Sequence, residues 1–312
     1  MDDADRSWTH AEIGQAARAA LASGLAGSQL WSLLLGVLDE RARQRTPAGV
    51  LRQWESDRFV QPSYIDQRTI AELDGHLLAA AEDFEAVELS PLAPLGVCSA
   101  IALTSQNRVV STIRGTEVVS DPTNVLALEC TRRLRLEPRG VVRFATCHRC
   151  VRAQEVPKRP GFAAHFRIFC LASAGREQQD HGLVVDELVR HIRTHLKALD
   201  RLEQHGYFFP ARTVNVLATD ARRGLADRIA GAIEGVSVAR SPLQHEYYAG
   251  LRFMINIRTP SGEDIPLIDG GVFDWLHKLA SDRKLSYVAS GMGSQVAAYL
   301  FRTPAHASRA GK

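Results

Sequence analysis

The sequence predicts an α+β fold in which helices flank a mostly antiparallel β-sheet. Two apolar runs, 141–151 and 166–174, are rich in β-branched and aromatic residues and are joined by a polar loop, as in an antiparallel hairpin. Shorter runs of the same type frame a turn at 260–262. Amphipathic segments with helical spacing lie between these clusters rather than after every strand, which favours antiparallel pairing.

The helical segments suggest how the chain is organised. A capping-box spacing at Thr9 and Glu12 opens a helical N-terminal extension, 1–62. A core domain is expected over 63–302, with its first amphipathic helix at 66–83, followed by a frayed polar tail over 303–312.

The strongest amphipathic pattern, 182–204, carries His191 and His195 on its polar face. Two histidines at i and i+4 can bind a metal, but no third ligand is suitably spaced here. A solvated face is therefore expected for both.

Composition places the chain among ordinary globular proteins and restricts its environment. It has 312 residues, 45% hydrophobic and 23% charged, with a formal net charge of +3, which does not by itself indicate nucleic acid or membrane binding. The N-terminus is polar and acidic, unlike a secretory signal, and no run of about 18 apolar residues occurs. We expect a cytoplasmic protein without a membrane partner.

Five cysteines are sparse for a chain of this length and predict reduced thiols. Cys147 and Cys150 form one CxxC pair, but zinc sites of this kind need a second pair. Alternation along a strand would also place the two side chains on opposite faces. We expect buried thiols and no metal site.

Basic residues gather on and beside the loop of the central hairpin. Two interpretations remain open: a solvated basic loop, and a clamp for nucleotide phosphates, in which arginine supplies a planar fork. The residues are Arg149, Arg152, Lys158, Arg159, His165 and Arg167.

Several short motifs occur in an order that matches one known family. They are Tyr-Tyr-Ala-Gly at 247–250, Gly-Gly-Val-Phe-Asp at 270–274, Val-Arg-Ala-Gln at 151–154, His-x-x-x-Phe at 165–169 and Gly-Met-Gly at 291–293. Together they resemble the class II aminoacyl-tRNA synthetase catalytic core, in its histidyl-tRNA synthetase branch. The helix expected at 66–83 and the strand expected at 84–95 together resemble that family's motif 1, its usual dimer interface.

The resemblance implies an antiparallel sheet that holds a bent ATP with Mg²⁺, in a homodimer. It implies that Arg152 stabilises charge on the α-phosphate, with Gln154 beside it as the second catalytic position. It implies that Phe169 stacks on adenine. The other residues implied to bind ATP are His165, Arg167, Gly291 and Gly293.

The resemblance also implies a pocket for an amino acid. Glu117 would pair with the ammonium group of the substrate, although an edge-strand charge is an equal alternative. The residues implied to line this pocket are Arg114, Thr116, Glu117, Tyr247, Tyr248, Gly270, Gly271 and Phe273.

The sequence departs from the family at positions that carry charge. Val296 and Leu243 stand where that branch has arginines, and Gln154 stands where it has a glutamate. The histidine-pocket positions fall near Leu171 and Gly175. We therefore expect neither histidine as substrate nor tRNA as acceptor, since no anticodon-binding domain follows the core.

Three functions follow as hypotheses. The first is ATP-dependent activation of a small carboxylate, an amino acid, for transfer to a carrier protein, an amine or a metabolite. The second is a non-catalytic regulatory paralogue, like the regulatory subunit of ATP phosphoribosyltransferase, with an enzyme as partner. The third is RNA binding through the basic hairpin, with a strong dependence on salt.

Overall fold

The computed structural model describes residues 13–155, 162–244 and 247–303. No helix within these ranges is long and apolar enough to cross a membrane. The helices are α1 (Gln15–Ala19, continued by a π-helical turn Ala20–Gly24), α2 (Gly27–Arg43), α3 (Pro47–Ser56), α4 (Gln67–Ala80), α5 (Pro122–Leu136), α6 (Gly182–Glu203), α7 (Arg223–Gly231), α8 (Trp275–Ala280) and α9 (Ser294–Leu300).

The strands form one large sheet and one small one, which confirms the predicted fold class. They are β1 (Glu85–Ala86), β2 (Leu92–Pro94), β3 (Thr116–Val118), β4 (Val141–Val151), β5 (His165–Arg176), β6 (Arg212–Ala218), β7 (Ser237–Pro242), β8 (Leu251–Arg258), β9 (Asp264–Phe273) and β10 (Leu285–Met292). The large sheet has the order β1-β4-β5-β10-β9-β8-β6-β7, and β2 pairs with β3 alone. Its strands are antiparallel except for the parallel pairs β1–β4 and β6–β7.

Helices cover the two faces of the large sheet unequally. On the face that we call the α6 face, α4, α6 and α7 bury a core that includes Leu188, Ile192 and Phe253. On the opposite face, the α5 face, α5 and α8 cover a smaller core that includes Leu126 and Tyr287. The two cavities described below open on this α5 face.

The central hairpin follows the prediction closely, since β4 and β5 pair in antiparallel register with Cys150 opposite Phe166. Because successive side chains of a strand point to opposite faces, even-numbered residues of β5, such as Phe166 and Cys170, face α5. Odd-numbered residues, such as Phe169 and Leu171, face α6. The predicted loop residues Lys158 and Arg159 lie outside the described residues.

The N-terminal extension lies on the core domain through a few specific contacts. Neither α2 nor α3 contains a buried residue. The ring of Trp31 packs on Gly115, whose φ of +68° and lack of a side chain allow this approach. The segment 57–66 then crosses the hairpin, where the Tyr64 hydroxyl donates to the Phe162 carbonyl at 2.8 Å and the Arg58 guanidinium donates to the Gln154 carbonyl at 3.1 Å.

The prediction that His191 and His195 lie on a solvated face is wrong. Both side chains are completely buried between α6 and the sheet. His191 Nε2 lies 2.9 Å from Ser173 Oγ of β5, and His191 Nδ1 lies 2.9 Å from Ser290 Oγ of β10. His195 Nε2 is 2.8 Å from the same Ser290 Oγ. Hydrogen bonds to serines of distant strands offset the free-energy cost of burying these polar rings. The amphipathic pattern of the helix contains no information about those serines.

These contacts define a directed chain of hydrogen bonds. His195 Nδ1 has no partner among the described residues, so the lower-cost arrangement leaves it unprotonated and puts the proton on Nε2. His195 Nε2–H then donates to Ser290, whose hydroxyl donates to His191 Nδ1, and His191 Nε2–H donates to Ser173. Burial lowers the pKa of both histidines to about 3, so both rings are neutral at pH 7.

The cysteines are free and buried, as predicted. Cys147 packs in the core of the α6 face and Cys150 in that of the α5 face, so the two thiols point to opposite sides of β4. Burial raises the pKa of both thiols well above the usual range.

Some predicted boundaries differ from the structure. The run 109–113, whose apolar composition is typical of a strand, contains a single β-bridge, at Ser111. The segment 84–95 holds two short strands, β1 and β2, which are separated by irregular chain that includes Pro91. Gly291 and Met292 continue β10, and the last helix begins only at Ser294.

Candidate functional site

Two adjoining cavities open on the α5 face, where the end of β4, the start of α5 and the segment after 246 meet. Their volumes are about 360 and 210 Å³, in the range of small-molecule sites when taken together. The residues that line both are Asp121, Arg152, Tyr247, Tyr248 and Asp269.

Arg152, the predicted catalytic arginine, lies at the centre of this site. Its Nε donates to the Ser120 carbonyl at 2.9 Å, and its guanidinium lies 5.0 Å from the centre of the Phe166 ring. Its Nη2 lies 3.7 Å from Asp121 Oδ2, a loose ion pair. The side chain is 34% exposed and keeps N–H donors that no described residue uses. Arg152 is therefore oriented in advance and still able to bind an oxyanion.

Asp121 is a site residue that sequence reasoning missed, because it fits the role of helix N-cap. It has that role: its Oδ1 accepts from the backbone N–H of Thr123 at 3.0 Å and from the Thr123 hydroxyl at 2.7 Å. Its other oxygen, Oδ2, faces Arg152 across the cavity. A cap residue with its second oxygen turned into a pocket can also accept hydrogen bonds from a ligand.

Asn124, in the first turn of α5, lines the larger cavity. It is 2% exposed, and its Oδ1 has no hydrogen-bond partner among the described residues. A buried polar atom without a partner costs about 1–3 kcal/mol, so such atoms are uncommon in folded proteins. A bound ligand that donates to Asn124 would remove this cost.

Asp269, also missed from the sequence, is held by Arg252 of the neighbouring strand. Arg252 Nε and Nη2 lie 2.8 and 2.7 Å from the two carboxylate oxygens of Asp269, a bidentate pair. The same guanidinium lies 5.2 Å from the Tyr248 ring centre. Burial, followed by the charge of Asp269, raises the pKa of the Tyr248 hydroxyl, so Tyr248 is a neutral hydrogen-bond donor.

Aromatic rings form one wall of the cavities. Tyr247 and Tyr248 each contact Phe273, with ring centres 5.4 and 5.1 Å apart. Phe273 in turn stacks on Trp275 at 4.0 Å. The Tyr287 hydroxyl donates to the Thr123 carbonyl at 2.6 Å and so joins this cluster to α5. The predicted residues Tyr247, Tyr248 and Phe273 are thus brought together.

Close packing around the site requires glycine at two of the predicted positions, Gly270 and Gly271. A Cβ at Gly271 would lie 2.4 Å from the Leu251 carbonyl oxygen and 2.5 Å from the Tyr248 ring, so only glycine lets that ring lie on β9. A Cβ at Gly270 would lie 2.3 Å from that of Ser290. Gly270, Gly291 and Gly293 line the smaller cavity.

Three residues expected to bind ATP do not face this site. His165, Arg167 and Phe169 point to the α6 face, where Phe169 is completely buried with its ring edge-on to His195. The expectation that these three side chains lie on the same face as Arg152 is therefore wrong. Neighbouring residues of a strand point to opposite faces, so an error of one residue along β5 changes the face of every side chain. Phe166, one of the residues missed in the sequence, is the aromatic side chain of β5 that contacts Arg152.

The expected amino-group ligand Glu117 has a different environment. It is completely buried, and it accepts hydrogen bonds from the backbone N–H groups of Gly96 and Cys98 and from Gln106 Nε2, at 2.8, 3.1 and 2.7 Å. These contacts hold the 96–108 loop, which brings Cys98, Thr104 and Arg108 to the larger cavity. Glu117 therefore supports the loop that lines the cavity and does not line the cavity itself.

The remaining predicted positions divide between the cavity and its surroundings. Gln154 lines the larger cavity. Thr116 contacts the Thr112 hydroxyl, and Arg114 is exposed on the turn before β3; neither lines the cavities.

The two expected losses of positive charge are visible in the structure. Leu243 is buried, and Val296 packs against the core of the α6 face. Among the described residues that line the cavities, Arg108 and Arg152 are the cations.

Comparison with known proteins gives a fold-level match. No protein-family model and no curated protein matches the sequence. Among solved structures, an ATP phosphoribosyltransferase regulatory subunit/histidyl-tRNA synthetase from Bacillus halodurans superposes with a TM-score of 0.56 at 13% identity, over 77% of this chain and 82% of that one. The chain has the fold of the class II aminoacyl-tRNA synthetase core.

Two further structures agree with this synthetase-like fold. A histidine–tRNA ligase subunit from Alicyclobacillus acidocaldarius matches with a TM-score of 0.56 at 13% identity, over 82% of this chain and 96% of that one. A threonyl-tRNA synthetase from Aeropyrum pernix, described as putative, matches with a TM-score of 0.55 at 13% identity, over 74% and 58%. At such low identity the likeness concerns the fold alone.

Proposed function

We propose that this chain binds a small amino acid in the cavities around Asp121 and Arg152. The observation that carries the proposal is this pair: a carboxylate and a guanidinium 3.7 Å apart, both partly exposed to the same space. A zwitterion complements them, with its carboxylate on the free N–H groups of Arg152 and its ammonium on Asp121.

The surrounding residues restrict the side chain of the ligand. Tyr247 and Tyr248 offer flat apolar surface with neutral hydroxyl groups, and Asn124 Oδ1 is an acceptor without a partner. A buried acceptor discriminates strongly against a ligand that cannot donate to it. The proposed ligand therefore has a polar, hydrogen-donating group in addition to its zwitterion.

Ligand binding without chemistry is the simpler role for this site. A triphosphate needs several cations, whereas the described lining residues supply Arg108 and Arg152. His165 and Arg167, expected at the outer phosphates, lie across the sheet. We therefore favour a ligand-binding, regulatory role, which would require an enzyme as partner.

ATP-dependent activation of the bound amino acid is the second candidate. The contact between Arg152 and Phe166 favours it, because a guanidinium over a partly buried aromatic ring suits an α-phosphate next to a stacked base. Such a reaction would use ATP with Mg²⁺ and transfer the acyl group to a carrier protein, an amine or a small metabolite.

Thermal denaturation in the presence of each of the twenty amino acids tests binding. We expect one or a few with hydrogen-donating side chains to raise the melting temperature, with saturation. Arg152→Met should abolish that shift, because it removes the carboxylate partner. Arg193→Met is the matched control, since Arg193 lies on the exposed side of α6 and its guanidinium donates to the Ala232 carbonyl at 2.8 Å. A full panel without any shift in well-folded protein would refute binding of free amino acids.

Pyrophosphate exchange separates the two candidates. The regulatory role predicts no amino-acid-dependent exchange between pyrophosphate and ATP, with the identified ligand present and Mg²⁺ in excess. Exchange that Phe166→Ala abolishes would establish the activating role instead. Both candidate functions include the homodimer expected from the sequence. Analytical ultracentrifugation of the same preparation tests that oligomeric state.

A further inference from the structure

A separate cavity of about 470 Å³ lies on the α6 face, between the central hairpin, α4 and the segment 62–67. The sheet separates it from the proposed amino-acid site. Its polar lining consists of Ser63, Gln67, Asp74, Arg149, His165 and Arg167. The first two come from the end of the N-terminal extension and the start of α4, and the last three from the hairpin.

Two arginines face each other in this lining. Arg149 of β4 and Arg167 of β5 are directly paired across the antiparallel ladder, an arrangement that is destabilising for like charges. Asp74 neutralises one of them, because its Oδ2 lies 2.5 Å from Arg167 Nη2. Arg149 makes no ion pair with any described residue, although its side chain is partly buried.

The neighbour of Arg149 is a neutral histidine. Arg149 Nη1 lies 2.9 Å from His165 Nδ1, and a guanidinium can only donate, so Nδ1 is the acceptor and carries no proton. The proton of the ring is then on Nε2, which donates to the Gln61 carbonyl at 2.7 Å. His165 therefore adds no positive charge, and it adds no counter-charge for Arg149.

The local charges do not balance at Arg149. Burial, followed by repulsion from Arg167, lowers the pKa of the Arg149 guanidinium. Glu88 acts on Arg167 from a distance, but it is exposed and forms no ion pair within the described residues. The nearby carboxylate, Asp74, attracts Arg149 but is already paired with Arg167. A partly buried cation whose charge is not matched in this way is costly, and such local violations tend to mark binding sites.

We propose that this cavity binds the oxyanion group of a small molecule, a phosphate or a carboxylate, through Arg149. The planar fork of Arg149 binds two oxygens of the anion, and Ser63 and Gln67 supply neutral donors from the opposite wall. Arg167 remains paired with Asp74 and adds long-range attraction. The site lies on the other side of the sheet from the proposed amino-acid cavity, and neither proposal requires the other.

Isothermal titration with inorganic phosphate and with acetate tests this assignment, in buffer held at constant ionic strength with NaCl. We expect saturable binding of phosphate, of acetate or of both, and the two arms distinguish the preferred oxyanion. Arg149→Met should raise the Kd at least tenfold, and Arg149→Lys should raise it less, because lysine keeps the charge and loses the fork.

Two controls keep the outcome unambiguous. Arg193→Met removes the same charge from exposed α6 surface and should leave the Kd unchanged. Circular dichroism confirms that each variant is folded. Absence of saturable binding of either anion to the wild-type chain, or a Kd that Arg149→Met and Arg149→Lys both leave unchanged, would overturn the proposal.

Discussion

The two faces of the large sheet use the same chemical groups in different ways. Each has a bidentate arginine–carboxylate pair: Arg143 with Glu187 on the α6 face, and Arg252 with Asp269 on the α5 face. Glu187 is 2% exposed, whereas Asp269 is 38% exposed. The first pair is sealed under α6, and the second lies at the edge of a cavity.

The uncharged polar side chains also differ between the two faces. On the α6 face, His191, His195, Ser173 and Ser290 largely satisfy one another. On the α5 face, Asn124 and Arg152 keep unused hydrogen-bonding capacity in a cavity. Mutual satisfaction indicates a structural network, and unused capacity beside open space indicates a site for a ligand.

The largest expected effect comes from breaking the sealed ion pair. Glu187→Gln leaves the charge of Arg143 without its partner beneath α6, and we expect a loss of about 3 kcal/mol in the free energy of unfolding. Asp269→Asn should cost about 1 kcal/mol or less, because Asp269 is 38% exposed and water at the cavity already screens its pair with Arg252. Urea denaturation of both variants measures the difference, and equal losses would contradict the distinction between the faces.

Acid should act mainly through the α6 face. The folded pKa of His191 and of His195 is about 3, below the value of about 6.5 expected in the unfolded chain. The unfolded state therefore binds more protons as pH falls below 6.5. The stability that is fully present above pH 6.5 should decrease by about 1.4 kcal/mol per pH unit for each histidine, until the folded pKa is reached.

Denaturant titrations between pH 7 and 5 measure that slope. His195→Leu removes one of the two groups and should reduce the slope by about 1.4 kcal/mol per pH unit, whatever it does to stability at pH 7. A slope that stays the same in this variant would show that the acid sensitivity arises elsewhere.

The smallest effect on stability is expected at the cavity. Asn124→Ala removes a buried acceptor that has no partner, so the free energy of unfolding should change by less than about 1 kcal/mol. The same substitution should weaken binding of the amino acid that shifts the melting temperature, by tenfold or more. A large loss of stability with unchanged binding would place Asn124 in the structural network instead.

Much of the architecture could be predicted from local patterns. The bounds of β4 are those read from the sequence, and α4 and α6 lie within two or three residues of the predicted helices. These segments are long and strongly periodic, so the hydrophobic pattern specifies them. Asp121 followed by Pro122 is also a sequence pattern typical of a helix start, which it is, but that pattern gives no sign of its second role in the cavity.

The composition of the site could not be predicted in full, because it depends on which way β5 faces. Most of this strand is buried on both sides, so its sequence lacks the alternation that would distinguish Phe166 from Phe169. The burial of His191 had a similar cause. Ser290, which supports it, is 99 residues away in the sequence, and only the folded topology brings the two together.

Arg149, in β4, faces one side of the sheet, and Arg152, the residue that follows the end of β4, faces the other. Two molecules bound at these positions would be held by a single two-stranded ribbon, less than four residues apart along the backbone. The first molecule to bind would meet the conformational-entropy cost of ordering this hairpin. The second would not meet that cost again, so the two would bind cooperatively. Thermodynamic linkage requires that cooperativity to be equal in both directions, regardless of which molecule arrives first.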